Sequence, residues 1–261
     1  MQDKQCPQDA GAEHKQVQEL REISSAPTNS RALVLCSGGL DSTTLLAQAV
    51  ERYGNDNVVA LSVQYGQKHV RELQSAQAVA QYYGVELKMI DVAAIFAEST
   101  CSLLSHSDEA IPHESYDQQL AESKAAPVVS TYVPFRNGLF LSCAASMALS
   151  LDCSVLYYGA HHDDWAGNAY PDCSREFVEA MDDAIRRGTA DQLRVEAPFV
   201  TWSKADIVAE GMRLGVPYEL TWSCYEGGDE PCGQCATCID RARAFEAHGL
   251  VDPLYMRKDV K

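Results

Sequence analysis

The sequence predicts an α/β fold, an open parallel sheet of five strands flanked by helices and followed by a small lobe built on four cysteines. Three observations predict it. Short apolar runs alternate with stretches of helical period, a glycine-rich loop joins the first run to the first helix, and four of the ten cysteines crowd between positions 224 and 238. With 261 residues and 46% hydrophobic content, the chain fills one α/β core and a small appendage, not two full domains.

The elements follow in order. Ala32 to Cys36 is an apolar run ending at the glycines, and Leu46, Ala49, Val50 and Tyr53 then share a helical face that stops at Gly54. Val58 to Val63 reads as a second buried strand. Val70, Leu73, Ala76, Ala80 and Tyr83 line a helix ending at Gly84, and Val85, Leu87 and Met89 alternate as a third strand. From Ala93 to Ser130 periodicity fades into a connection far longer than the usual ~4 to 6 residues, the mark of a lid or a disordered segment. Phe140, Cys143, Ala144, Met147 and Leu151 restore helical spacing, and Ser154 to Gly159 is a fourth strand that opens into the polar stretch AHHDDWAGNAYPDCS. Ser174 is placed to cap a helix carrying Phe177, Met181, Ala184 and Ile185 as far as Gly188. A fifth strand spans Leu193 to Ala197, and Ser203 with Asp206 forms a capping-box start for a helix ending near Gly215.

Strands separated by helices imply right-handed parallel crossovers, the Rossmann-like plan. In a 3-2-1-4-5 order, the loops after strands one and four face one cleft at the carboxyl ends of the strands.

Composition narrows the function classes. A net charge of −16, spread along the chain, disfavours a nucleic-acid partner. No run is long enough to cross a bilayer and nothing resembles a signal peptide, so a cytoplasmic chain is expected. Residues 1–30 lack apolar periodicity and read as a disordered extension.

In the glycine loop, Ser37, Gly38, Gly39, Asp41, Ser42, Thr43 and Thr44 offer unobstructed amides, hydroxyls and the positive end of a helix. That combination suits a pyrophosphate. The familiar phosphate loop ends on a lysine, whereas Leu40 and Asp41 follow the glycines here. A plain strand-to-helix turn is the alternative. Positive charge must then come from Mg2+ and from Lys68, His69, Arg71, Arg136 or Lys204. Arg136 is favoured among them, because a guanidinium at a helix N-terminus is otherwise electrostatically misplaced.

Cys224, Cys232, Cys235 and Cys238 have the spacing C-x7-C-x2-C-x2-C, which reads as a closed, structural zinc site. An iron-sulfur cluster is the rival, but the ferredoxin run needs another cysteine where Ala242 stands. The HHDD at 161–164 reads as a solvated acidic loop, since consecutive residues on an extended chain point apart.

Strand-SGGLDS-helix resembles the signature of the ATP pyrophosphatase, or PP-loop, superfamily (the HUP class of folds). The stretches YGQKHVREL at 65–73, VPFRN at 133–137 and GNAYPDCSREFVEAM at 167–181 are similar to the 7-cyano-7-deazaguanine synthase family, and the closing cysteine segment is similar to that family's metal site. The likeness spans residues 31 to 254, with Leu40 standing where several relatives carry Gln. It implies a PP-loop domain over 31–216 and a zinc lobe over 217–261 packed on it. ATP would be held by Cys36, Ser37, Gly38, Gly39, Leu40, Asp41, Ser42, Thr43, Thr44, Leu45 and Leu46, with Ser37, Asp41, Ser42 and Arg136 in the catalytic role. Tyr65, Gln67, Asp164, Trp165, Tyr170, Asp172 and Lys204 would meet the substrate, with Asp164 accepting from the base and the aromatic rings stacking on it.

The resemblance further implies that a deazapurine carboxylic acid becomes a nitrile, with free ammonia, ATP and Mg2+, in a homodimer that contacts neither nucleic acid nor membrane. A carboxylate has no good leaving group, and attachment of AMP supplies one. Two rivals stay open: a tRNA-thiolating relative, for which Cys173 and Cys101 are available, and a non-catalytic nucleotide-binding module.

Overall fold

The computed structural model describes residues 30–116, 118–119, 128–165 and 169–256. The expectation of a disordered extension therefore falls, apart from Ser30, outside the described residues. From Arg31 onward the chain is one compact unit.

Five parallel strands form the sheet: β1 (Arg31–Leu35), β2 (Val58–Gln64), β3 (Glu86–Asp91), β4 (Cys153–Tyr157) and β5 (Arg194–Glu196), in the order β3-β2-β1-β4-β5. This is the expected order. β1 is central, with Ala32 opposite both Val58 and Val155. Its apolar run is continuous because both faces are covered, as parallel sheets require.

The helices are α1 (Leu40–Tyr53), α2 (Arg71–Tyr83), α3 (Arg136–Ser150), the single turn α4 (His162–Trp165), α5 (Arg175–Gly188), α6 (Lys204–Leu214) and α7 (Ala236–Glu246). Their ends carry the chemistry read from the sequence. Ser174 Oγ accepts from Phe177 N, and Ser203 and Asp206 exchange side-chain and backbone hydrogen bonds as a complete capping box. Gly84 closes α2 in the left-handed region, donating to Ala80 and Gln81 carbonyls.

Three local expectations are corrected. Met89 is exposed, and Ile90 packs toward the core instead. β3 is an edge strand, so its alternation is not pinned by cover on both sides. In α3 the fully buried face is Leu141, Ala144, Ala145 and Ala148: Ala144 of the expected Phe140–Cys143–Ala144–Met147–Leu151 stripe lies in it, Phe140, Met147 and Leu151 pack on its flank, Cys143 is only half-buried, and Phe140 also lines the cleft. The segment after β3 is not a lid over residues 93–116. Phe96, Leu103, Leu104 and Ile111 are buried in a second apolar cluster with Trp222 and three of the C-terminal cysteines. Gln67 and Leu104 form an antiparallel bridge. Burial without period is invisible to a pattern search, because these side chains pack against distant chain and not against one sheet face.

Candidate active site and cysteine centre

β1 delivers the glycine loop to the carboxyl edge of the sheet, and Cys36 N still donates to Leu61 O, extending the pairing by one residue. The loop is held by its own serines. Ser37 N donates to Ser42 Oγ at 3.2 Å, the two hydroxyls lie 3.1 Å apart, and Gly39 N donates to Ser37 Oγ at 3.3 Å. Gly38 has φ +80, and an added Cβ would meet the Glu72 carbonyl oxygen at 2.7 Å, so loop and α2 touch backbone to backbone. Gly39 caps α1 with no side-chain hydrogen bond, leaving the positive helix end open to an anion.

Cys36, Ser37, Gly39, Asp41 and Ser42 line a cleft of ≈ 220 Å3 that opens to solvent. Leu40, Thr43, Thr44, Leu45 and Leu46 are buried and do not line it. α6 covers the far side of α1, where Thr44 Oγ1 meets Tyr218 OH at 2.9 Å. Gly38 also stays behind the lining, its carbonyl accepting from Trp222 N at 2.9 Å.

Asp41 faces three groups that lie far along the chain. Its Oδ2 is 3.7 Å from Lys204 Nζ and 3.7 Å from His161 Nε2, and His161 Nε2 is 3.3 Å from Asp164 Oδ2. Burial alone would raise the Asp41 carboxyl, but Lys204 and His161 outweigh it and hold it below the usual range. Burial likewise opposes the charge on Lys204, yet Asp41, Asp164, Asp240 and Asp163 keep it above the ordinary lysine range. The HHDD stretch is therefore no solvated loop. His161 is 1% exposed, residues 162–165 form α4, and Asp163 accepts from Lys204 N at 2.8 Å, fixing the start of α6. His161 is the residue the sequence reading missed. Its signal was its position four residues past β4.

On the opposite wall Arg136 opens α3, half-buried, with its guanidinium 5.1 Å from the Tyr65 ring centroid and 5.8 Å from that of Phe140. Burial works against its charge, and the hydroxyl oxygens of Tyr65, to which it donates at 3.4 Å, and of Tyr225, with the Asp172 carboxylate, favour it. Tyr65 and Gln67 line the cleft, with Gln67 Oε1 accepting from Tyr65 N at 2.9 Å. Asp164 and Lys204 line it too. Asp172, Tyr170 and Trp165 do not. Asp172 accepts from Asn137 N at 3.0 Å, a carboxylate on the N-terminus of α3 that positions Arg136 next to it. Tyr170 OH bonds Thr131 at 2.6 Å and Tyr225 OH at 3.4 Å, supporting Tyr225, which does face the cleft. Trp165 packs against His162. Lys68, His69 and Arg71 are also absent from the lining; Lys68 bonds the Glu109 carbonyl and Arg71 pairs with Asp229 at 2.7 Å.

The four C-terminal thiols lie within 4.8 Å of one another. A tetrahedral metal with ~2.3 Å bonds to sulfur needs sulfurs about 3.8 Å apart, close to this spacing. Cys232 N donates to Cys224 Sγ, and Cys235 N to Cys232 Sγ, both at 3.3 Å, as backbone amides do to thiolates. Four thiol sulfurs this close, with backbone amides already aimed at two of them, form a donor set that fits a metal. Trp222 links the two sites: its indole donates to the Cys224 carbonyl while its backbone amide holds Gly38.

Among the described residues no helix is long and apolar enough to cross a membrane. The sequence profile described as queuosine biosynthesis protein QueC matches residues 31–249. The 7-cyano-7-deazaguanine synthase of Archaeoglobus fulgidus is 41% identical over 232 residues, 88% of this chain and 92% of the relative. The synthase of the same name from Caldicellulosiruptor bescii is 42% identical, covering 86% and 96%, and that of Marinobacter nauticus is 41% identical, covering 85% and 95%. A solved structure, the U34-tRNA thiolase NcsA from Methanococcus maripaludis with its 4Fe-4S cluster, is 14% identical with a TM-score of 0.48, covering 90% of this chain and 72% of that one, a likeness too slight to bear on function. On the profile match and these relatives, the chain belongs to the QueC family of queuosine biosynthesis proteins.

Proposed function

We propose that this chain is an ATP-dependent ligase that converts 7-carboxy-7-deazaguanine and ammonia to 7-cyano-7-deazaguanine. One observation carries the reading: the serine loop after β1 and the Asp164 segment after β4 open into the same cleft, with Arg136 and Lys204 as flanking cations. The loop amides, Ser37 and Ser42 hold the departing pyrophosphate while the α phosphate faces the carboxylate, which explains a loop without lysine. Asp164 accepts from the amidine edge of the base, and Tyr225 and Tyr65 supply aromatic faces. Lys204 and Arg136 draw charge from the phosphates. Asp41 keeps Lys204 charged and in place, so its part is electrostatic support from within the loop.

The carboxylate oxygen attacks the α phosphate and pyrophosphate leaves. Ammonia then displaces AMP to give the amide, and a second adenylation of the amide oxygen allows loss to the nitrile. Mg2+ accompanies ATP and shields its phosphates. The four cysteines hold Zn2+ in a closed shell that ties the C-terminal segment, through Trp222, to the loop.

Mass spectrometry of products from ATP, ammonium and the deazaguanine acid tests the reading. Nitrile, AMP and pyrophosphate are expected, with Ser37→Ala slowed about 100-fold or more. ATP consumed without nitrile, or full activity in that variant, would overturn it.

A further inference from the structure

One ionisable side chain of the cleft has no part in the chemistry above: Glu72, in the first turn of α2. Among the described residues its carboxylate is engaged by no ion pair and no hydrogen bond, although it lines the cavity. The other titratable groups there are committed. Asp41 faces Lys204 and His161, and Asp164 pairs with His161. Arg136 and Lys204 are held as cations. Burial pushes the Cys36 thiol up to about 11 and raises the Cys173 thiol well above its ordinary value, and it raises the phenols of Tyr65, Tyr116, Tyr158 and Tyr225, so all six keep their protons near neutral pH. The place of Glu72 is also fixed, because its turn lies backbone to backbone against Gly38 of the loop.

We propose that Glu72 is the proton acceptor for the reacting nitrogen, a role that rests on the ligase reading given above. Ammonia adds to the adenylated carboxyl carbon: the carbon–nitrogen bond forms, the carbon–oxygen bond to AMP breaks, AMP leaves with the electron pair, and the proton shed by nitrogen passes to Glu72. The amide nitrogen carries two hydrogens and the nitrile none. The first leaves once the amide oxygen carries AMP, giving the neutral imidate, and the second as the carbon–oxygen bond to AMP breaks and the triple bond forms; Glu72 takes each in turn and returns it to solvent between steps. Proton acceptance near neutral pH requires an acid of matching strength. Burial raises the Glu72 carboxyl to about 7, against a smaller opposing pull from Arg136. The charged or titratable groups that face it are Arg136 at the start of α3 and Tyr65 beyond β2, while Arg71 on its own helix is taken up by Asp229.

The test separates adenylation from amidation in the full chain carrying its metal. Without ammonia, acid-dependent exchange of labelled pyrophosphate into ATP reads adenylation alone; nitrile formation reads the whole sequence. Glu72→Gln, of the same shape, is expected to lose about 100-fold more in nitrile formation than in exchange. At constant free-ammonia concentration the wild-type rate should rise with pH to a plateau with its half-point at about 7, a rise missing from the variant. Glu72→Asp, keeping the acid, should recover at least about tenfold over Glu72→Gln. Nitrile formation by Glu72→Gln close to wild type, or equal loss of exchange and nitrile, overturns the proposal. A wild-type chain without acid-dependent exchange overturns the ligase reading with it.

Discussion

Replacing Glu72 by Gln should strengthen the folded state in alkaline solution and leave it almost unchanged in acid. Burial lifts this carboxyl to about 7, from roughly 4.3 in an unfolded chain. The folded protein therefore binds the proton more tightly, and wild-type stability falls as pH rises between about 4 and 7, then levels off. A shift of two to three units corresponds to roughly 3 to 4 kcal/mol at about 1.4 kcal/mol per unit, and water at the cleft mouth reduces this to about 1 to 3 kcal/mol. Glutamine keeps the shape and does not titrate. In urea unfolding at matched slope, the variant should equal wild type near pH ~4 and exceed it by about 1 to 3 kcal/mol near pH ~8. A difference between the two proteins that stays constant across this range would refute the reasoning, since it would place the carboxyl in ordinary solvent.

Gly38→Ala should destabilise the chain by at least ~2 kcal/mol and abolish ATP use, because φ +80 and the nearby Glu72 carbonyl both exclude a Cβ; thermal melting and pyrophosphate release check it. Asp252→Asn should cost about 3 to 5 kcal/mol in denaturant unfolding, since Asp252 gives the 2%-exposed Arg241 its carboxylate partner at 2.6 and 2.9 Å. Cys235→Ser, or prolonged chelation, should release the metal and lower the melting temperature together, as expected when metal binding contributes folding free energy; elemental analysis beside calorimetry checks the coupling.

The strands β1, β2 and β4 were legible because burial on both faces makes them continuous apolar runs. The shared cleft of the two odd loops followed once the order 3-2-1-4-5 was supposed, and the cysteine centre was legible from spacing alone. What was not legible depends on distant chain. Met89 and the α3 face turn on which side of the sheet is covered. The packing of residues 93–116 depends on Trp222 and the cysteines. In the cleft, Ser37, Ser42, Arg136, Asp164 and Lys204 were readable as chemistry, but the partners of Asp41 arrive from two later elements. His161 looked like one more polar residue of a solvated loop, and only its burial beside two carboxylates marks it out. Asp172 and Tyr170 belong to the same region yet act behind the lining, through Asn137 and Tyr225.

The central claim is that a carboxylate oxygen attacks the α phosphate held beside the Ser37–Ser42 loop. Deazaguanine acid labelled with heavy oxygen in its carboxyl group, turned over with ATP and ammonium, tests it most directly. Mass spectrometry should find the label in AMP, one heavy oxygen per AMP for both activations, and none in pyrophosphate. Label in inorganic phosphate with ADP as the nucleotide product, or AMP without label, would contradict the account.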